Sequence, residues 1–164
     1  MEKVILIDPE KCTGCRICEI VCSLTKEGVI NPTRSRIQVV KVDPVSLSIP
    51  VVCQQCYDAP CIAVCPVGAL SRHGTTGMVN HDRDLCIGCK SCAAVCPFGA
   101  IGIDTSAEKV FKCDLCGGEP TCVKFCETKA LEFVEASTLS LRQKRKGISK
   151  YTELLQRDTG QSAA

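Results

Sequence analysis

Sixteen of the 164 residues are Cys, and they recur along the chain in four groups of four, which we number one to four in chain order. The groups are Cys12-x2-Cys15-x2-Cys18-x3-Cys22, Cys53-x2-Cys56-x4-Cys61-x3-Cys65, Cys86-x2-Cys89-x2-Cys92-x3-Cys96 and Cys113-x2-Cys116-x5-Cys122-x3-Cys126. Every group begins with C-x2-C and ends with C-x3-C, so only the middle gap varies. This repeat constrains the fold more than any other feature, because so many thiols in a small chain indicate disulfides, zinc or iron–sulfur clusters.

The compartment that the sequence indicates argues against disulfides. Residues 1–8 contain an apolar run of four residues, with no basic region and no cleavage site, so they do not resemble a secretory leader. No stretch approaches the ~18 apolar residues of a membrane span. We therefore expect a soluble, cytoplasmic protein without a membrane span, in which thiols stay reduced and are free to bind metal.

The spacing within the groups favours cubane iron–sulfur clusters. Each of the four irons in a [4Fe–4S] cluster needs one thiolate, and a C-x2-C-x2-C loop curls around the cluster to supply three. In bacterial two-cluster ferredoxins the last Cys of such a run ligates the neighbouring cluster instead. A Pro follows the last Cys in groups two and three, as in that pattern. Sixteen Cys then predict four [4Fe–4S] clusters in two two-cluster units, but the spacing alone leaves open which groups pair.

Structural zinc is the main alternative from another class. Four zinc sites with four Cys each would also use all the thiols, and they would make the chain a zinc-stabilised interaction module. Zinc ribbons, however, pair two C-x2-C knuckles across a linker of about a dozen residues or more. Here the third and fourth Cys of each group follow within a few residues, which disfavours zinc.

The segments between the groups predict an α+β fold built from short elements. A short apolar segment precedes groups one and three, and a small apolar exit follows groups two, three and four. We expect short antiparallel hairpins with turns at Gly, and helices of one to two turns that carry each final C-x3-C. The longest insertion, residues 23–52, predicts a hairpin in which residues 37–42 pair with residues 46–51.

The chain changes character after residue 135. Residues 136–164 contain no Cys, and they carry six basic residues against two acidic ones. We therefore predict a four-cluster domain, residues 1–135, and a basic C-terminal tail, residues 136–164. Tyr151, Leu154 and Leu155 supply apolar anchors, which favours docking on a partner subunit over a solvated tail. Binding of the tail to nucleic acid is the least favoured interpretation.

Several motifs go beyond the spacing itself: Cys12-Thr13-Gly14-Cys15-Arg16-Ile17-Cys18-Glu19, Cys53-Gln54-Gln55-Cys56, Pro60-Cys61, Cys65-Pro66 and Asn31-Pro32-Thr33-Arg34-Ser35-Arg36-Ile37. Over about residues 1–135, the chain resembles the sixteen-cysteine electron-transfer subunits of the dimethyl sulfoxide reductase type, of formate hydrogenlyase, of carbon monoxide dehydrogenase–hydrogenase systems and of tungsten aldehyde oxidoreductases. The short members are the most similar, especially the small subunit of a bacterial tungsten aldehyde oxidoreductase. The chain departs from the family pattern at Ser23 and Glu127, which replace a Pro after the last Cys.

The resemblance implies that group one pairs with group four and group two with group three. The fold it implies is two interleaved bacterial ferredoxin-like dicluster modules. The implied ligands are Cys12, Cys15, Cys18 and Cys126 for cluster A; Cys113, Cys116, Cys122 and Cys22 for cluster B; Cys53, Cys56, Cys61 and Cys96 for cluster C; and Cys86, Cys89, Cys92 and Cys65 for cluster D.

The resemblance also implies a function. The chain is expected to be an electron carrier rather than an enzyme, relaying electrons between a catalytic oxidoreductase subunit and another redox partner. A tungsten or molybdenum pterin aldehyde oxidoreductase is the best-matching catalytic partner. A flavin subunit, or further copies of the chain stacked into a longer wire, are candidates for the other partner. A freely diffusing polyferredoxin is the alternative within the redox class.

Five polar side chains near the Cys groups have a structural or a functional interpretation. Arg16, Lys90 and Lys112 lie beside Cys residues, where a cation would raise the potential of a cluster, but we favour solvated surface charges. His73 and His81 are candidate ligands, but sixteen Cys already suffice, so we expect surface or capping roles.

Overall fold

The strands form four small antiparallel sheets of two strands each. The structure is a computed structural model, and it describes residues 3–43 and 47–138. Three of the sheets are hairpins of sequential strands, and the fourth joins the first strand to the last. The strands are β1 (Lys3–Ile7), β2 (Ile37–Val42), β3 (Leu47–Val52), β4 (Leu70–Arg72), β5 (Val79–His81), β6 (Ile101–Asp104), β7 (Lys109–Lys112) and β8 (Leu131–Glu135).

Four helices carry the third Cys of each group. They are α1 (Ile17–Glu27), α2 (Pro60–Ala63), α3 (Ser91–Ala94) and α4 (Thr121–Lys124). The last three are single turns, as predicted, but α1 has 11 residues, so the prediction of one to two turns is wrong for group one. Ser23 permits this length, because it has the N–H that Pro lacks and donates its hydroxyl to the Ile20 carbonyl at 3.0 Å. The helix continues until Gly28, whose φ of 72° ends it. Glu127, the other residue in place of a Pro, does not extend α4.

Two modules of similar construction hold the Cys groups. In the first, β1 pairs with β8, from Lys3 opposite Glu135 to Ile7 opposite Leu131, and α1 packs against α4. In the second, β4 pairs with β5 and α2 packs against α3. The same backbone bond recurs after the strands that precede groups one and three: the N–H of Asp8 donates to Ala130 O, and the N–H of Asp82 donates to Ala69 O, each at 2.8 Å. Groups one and four therefore share one module, and groups two and three share the other.

The insertion between groups one and two forms the predicted hairpin. Strands β2 and β3 pair from Ile37 opposite Val52 to Val42 opposite Leu47. Ile37 and Val52 are both 1% exposed and join the core of the first module. Glu19 fixes the hairpin to α1, because its buried Oε1 accepts the N–H of Val39 at 2.6 Å.

The two apolar cores are built around thiols. The first contains Ile5, Leu115 and Leu131 together with buried Cys22, Cys113 and Cys122. The second contains Leu70, Val79, Ile101 and Val110 around buried Cys92. A chain with only 4% aromatic residues has few large side chains for a core, so whatever the thiols bind is part of the packing.

Over residues 3–43 and 47–138, no helix reaches the length and apolar content that a membrane crossing needs. The basic tail that the sequence places at residues 136–164 lies almost entirely outside the described residues.

Candidate metal centres

Three cavities are each lined by four Cys, and in each case the four come from two groups. The first has about 310 Å³ of space not filled by protein atoms, part of it open to solvent. Three of its thiols come from group three and one from group two: Cys86, Cys89, Cys92 and Cys65.

The other two cavities repeat this three-plus-one arrangement. One, of about 300 Å³, is lined by Cys113, Cys116 and Cys122 of group four and by Cys22 of group one. The other, of about 360 Å³, is lined by Cys53, Cys56 and Cys61 of group two and by Cys96 of group three. The identical donor sets indicate the same occupant in all three.

The remaining four Cys also lie near one another. Cys12 and Cys15 lie close enough to Cys18 to raise its pKa. Cys126 follows α4, which packs against α1, and both Cys18 and Cys126 pack against the first core. The structure thus brings groups one and four together at a second position, in addition to the cavity lined by Cys22.

The donors fit a group larger than one ion. Within the described ranges, no three His, Cys, Asp or Glu side chains converge on a point as single-ion ligands; the thiols instead surround the cavities. His81 adds a second observation, because its ring lines the cavity of Cys65 and its buried Nε2 has no hydrogen-bond partner among the described residues. A sulfur-rich cluster would supply both the thiolate bonds and an acceptor for this ring nitrogen.

Backbone amides point at the sulfurs from three different segments. The N–H of Arg36 donates to Cys22 Sγ at 3.3 Å. The N–H of Ala100 donates to Cys96 Sγ, and that of Leu115 donates to Cys113 Sγ, each at 3.4 Å. Hydrogen bonds to sulfur are one of the means by which a protein sets a cluster potential. The Arg36 donor comes from the insertion between groups one and two.

Burial opposes ionisation of six of the sixteen thiols. It raises the pKa of Cys113 to about 12, and burial followed by the Glu19 carboxylate raises the pKa of Cys18 to about 12. The pKa of Cys122 is raised as well, by burial and then by neighbouring thiols. At Cys89, by contrast, hydrogen bonds from Ser91 lower the pKa. The buried thiols therefore need a cationic core to become thiolates.

A left-handed residue precedes the second Cys of every group. Gly14 has φ 73° and Gly88 has φ 70°, and the equivalent positions in groups two and four are Gln55, with φ 51°, and Leu115, with φ 53°. A side chain in this conformation costs about 1–2 kcal/mol. Burial offsets that cost at Leu115, which is 1% exposed. The four loops therefore share one backbone shape although only two of them use Gly, and the Cys spacing gave no sign of this.

The five polar side chains that the sequence places near the Cys groups differ in exposure and in role. Arg16 and Lys90 are exposed, as expected. Lys112 is only 6% exposed, so its prediction as a surface charge is wrong; it sits at the end of β7, where Val79 O and Cys113 O accept hydrogen bonds from its ammonium. His73 has the expected capping role, with Nδ1 accepting the N–H of Thr76 at 3.3 Å. His81 is partly buried against a cavity instead of capping a turn.

Comparison with known proteins gives these centres a family. The profile of the 4Fe-4S dicluster domain family matches residues 44–136, which include groups two to four. A 4Fe-4S binding domain profile matches residues 4–30, which include group one. The chain belongs to the 4Fe-4S dicluster family. This dicluster protein therefore has the ferredoxin-like fold with short hairpins and short helices, and its four Cys groups correspond to four [4Fe–4S] clusters.

Individual relatives describe the same class of protein. The polyferredoxin-like subunit of aliphatic sulfonate oxidoreductase from Pyrococcus furiosus is 46% identical over 122 residues, which are 74% of this chain and 70% of that one. The putative electron transport protein YsaA of Escherichia coli K12 is 39% identical over 157 residues, which are 88% and 98% of the two chains. A solved BamBC complex of benzoyl coenzyme A reductase contains a chain with 30% identity and a TM-score of 0.48, covering 80% of this chain and 75% of that one. As the first two relatives indicate, the dicluster protein is an iron–sulfur electron-transfer protein, not a catalytic one.

Proposed function

We propose that the sixteen thiols hold the four clusters in the sets A to D. Set B is supported by the cavity of Cys22, set C by that of Cys96 and set D by that of Cys65. Set A, which contains Cys126, is supported by the packing of α1 against α4. In each set, three thiols come from one group and one comes from the paired group, so neither group of a pair completes a centre alone.

We further propose that the sets form one line, in the order A, B, C, D. Cys18 of set A lies close to Cys122 of set B, and Cys113 of set B lies close to Cys53 of set C. Sets C and D pack around the same second core. A continuous line of redox sites is what an electron relay needs.

The ends of this line face the solvent. Among the sixteen Cys, all of which are described, only Cys15 of set A and Cys89 of set D are exposed. Set B, by contrast, has three buried thiols. This contrast is the observation that carries the proposal: the outer sites are open to partner proteins, and an inner site is shielded from water.

The residues of the chain hold the sites and shield them. When bound, a [4Fe–4S] cluster accepts and returns one electron at a potential set by its charge, by hydrogen bonds to sulfur and by solvent exposure. Ile5, Leu115 and Leu131 exclude water from the inner thiols. The amides of Arg36 and Ala100 stabilise negative charge on sulfur without the need for a proton transfer.

The two partners of the relay are a catalytic oxidoreductase subunit and a second redox protein. The oxidoreductase that the Pyrococcus relative is named for supports the first assignment. A tungsten or molybdenum pterin aldehyde oxidoreductase is the specific candidate, and a flavin subunit or a stacked copy of the chain is the candidate at the other end. A cytoplasmic location and docking through residues 136–164 belong to the same proposal.

Pairs of Cys variants test the ligand sets. Cys65→Ser and Cys89→Ser belong to different groups but to one proposed set, D. Cys56→Ser belongs to the same group as Cys65 but to set C. The sets predict that Cys65→Ser and Cys89→Ser alter the same EPR signal and midpoint potential, and that Cys56→Ser alters another. If Cys65→Ser matched Cys56→Ser instead, each group would hold its own cluster.

Gentle anaerobic purification from the native host tests the subunit assignment. The proposal predicts a complex that contains this chain, a larger oxidoreductase subunit and stoichiometric tungsten or molybdenum. A lone monomer with all its clusters would favour the freely diffusing polyferredoxin. Deletion of residues 139–164 tests docking, which predicts intact clusters and a weakened complex.

A further inference from the structure

Lys112 is a buried cation without a carboxylate partner in the part of the chain that the structure describes. It is 6% exposed, and no Asp or Glu of residues 3–43 and 47–138 forms an ion pair with it. Its Nζ donates to the carbonyl of Cys113 at 2.7 Å and to the carbonyl of Val79. These bonds come from two modules, because Cys113 belongs to the first and Val79 in β5 belongs to the second.

Lys112 lies where the two central sets, B and C, adjoin. Lys112 lines the cavity of set C, together with Cys53 and Cys61. The next residue, Cys113, lines the cavity of set B. The ammonium therefore lies between the thiols that line the set C cavity and the backbone of Cys113, whose carbonyl oxygen it contacts at 2.7 Å. One charge therefore acts on both sides of the junction.

An ammonium in this place needs negative charge nearby. Two carbonyl oxygens satisfy part of its hydrogen-bonding capacity, but burying a charge without a counter-charge is costly. Four thiolates around each cluster core leave a net negative charge at each set, and that charge grows when an electron is added. The same Coulomb attraction that stabilises Lys112 then stabilises the electron.

Building on the proposed ligand sets and their order, we propose that Lys112 is the electrostatic bridge between the two modules. Its charge raises the reduction potentials of the two inner sites, B and C, more than those of the outer sites A and D. An electron crossing from one module to the other then meets a stabilised pair of sites rather than a barrier in the middle of the line.

The test is an EPR-monitored redox titration of the holoprotein with Lys112→Met, which removes the charge and keeps the length of the side chain. We expect two of the four midpoint potentials to fall clearly more than the other two. Lys112→Arg keeps the charge and is expected to hold all four near their original values. Lys3→Met is the control, because Lys3 also lies at the end of a strand but is exposed and lines none of the three cavities; the potentials of this variant should not move.

Lys112→Gln covers the case in which Lys112→Met fails to assemble, because it keeps a hydrogen-bond donor without the charge. Unchanged potentials in a fully loaded Lys112→Met or Lys112→Gln protein overturn the inference, as does an equal shift in Lys112→Arg. Iron and sulfide content of the wild type separates this result from the wider proposal. A wild type without four clusters overturns the proposed function and this inference together, whereas four clusters with unmoved potentials overturn the inference alone.

Discussion

Gln55 and Cys113 are joined by a hydrogen bond of 3.0 Å from the Gln55 side-chain Nε2 to the Cys113 carbonyl oxygen. The Oε1 of the same side chain accepts the N–H of Val79 at 2.9 Å. Gln55 belongs to group two, so one buried amide ties its loop both to the first module, at Cys113, and to β5 of the second.

Replacing Gln55 with Leu is expected to lower the free energy of unfolding by about 1–3 kcal/mol, because both buried backbone groups lose their partner. Anaerobic denaturant unfolding of the holoprotein measures this. Gln54→Leu is the control, since Gln54 makes one local bond, to Val52 O at 3.0 Å, and should cost less. Equal losses in the two variants would show that Gln55 does not link the modules.

Gly88→Ala is expected to remove one cluster. A Cβ at Gly88 would lie 1.9 Å from Glu108 O, and its φ is +70°, so the loop of group three cannot close unchanged. Gly68→Ala has a similar φ of +65° but nothing within 4 Å, and we expect it to keep all four clusters at a cost of about 1–2 kcal/mol. Iron and sulfide analysis distinguishes the variants; a fully loaded Gly88→Ala protein would contradict the packing of this loop.

Arg36 joins the insertion to α1 through a partly buried ion pair. Its Nη1 lies 2.5 Å from Glu27 Oε1, and its guanidinium lies 4.9 Å from the Phe111 ring centroid. Arg36→Leu is expected to cost about 3 kcal/mol, near the low end for breaking a buried pair, because Arg34 at 3.7 Å still compensates Glu27. Denaturant unfolding of the double variant Arg36→Leu/Glu27→Leu should show a loss smaller than the sum of the single losses; strict additivity would mean that the pair is not coupled.

His81→Phe is expected to lower the midpoint potential of one cluster, because the buried Nε2 is then no longer available to donate to sulfur in set D. His73→Phe, the only other His position of the chain, should leave every potential unchanged. EPR-monitored titration of both variants gives the comparison. No shift in His81→Phe, with set D loaded, rules out the hydrogen bond.

Asp104 predicts a pH dependence of stability. Its side chain, 6% exposed, accepts from Ser106 and lies 3.2 Å from Arg34 and from Arg83. The hydrogen bond from Ser106, followed by those from the backbone N–H groups of residues 106 and 107 and by Arg34, lowers its pKa to about 2. A lowered pKa contributes stability above the ordinary value of 3.8, and that contribution is lost only as the pH falls towards 2.

Asp104→Asn is therefore expected to be less stable than the wild type by an amount that stays constant from about pH 8 to about pH 5. Denaturant unfolding at several pH values in this range measures the difference. A difference that shrank markedly by pH 5 would place the pKa of Asp104 near or above its ordinary value.

The Cys spacing and the apolar segments predicted much of this fold, because both depend on local sequence. A C-x2-C loop closes on itself, and the apolar–polar alternation in residues 37–42 fits a β-strand whatever segment it pairs with. The pairing of groups one with four was not available from spacing, since it depends on β1 meeting β8 across the whole chain. The family resemblance predicted this pairing.

The sequence could not predict the burial of Lys112 or the bridging role of Gln55, for a different reason. A Lys beside a Cys is usually exposed, and only the approach of β5 to β7 closes the space around this one. Gln55 takes a left-handed conformation that composition would assign to Gly. Both residues lie at the junction of the modules, where long-range packing overrides local preference.

The iron and acid-labile sulfide content of the anaerobically purified chain, combined with a reductive titration, tests the central claim most directly. Four [4Fe–4S] clusters in one relay predict roughly sixteen irons, roughly sixteen sulfides and about four electrons taken up per chain. About four zinc ions with no sulfide, or about eight irons with two electrons, would contradict the account.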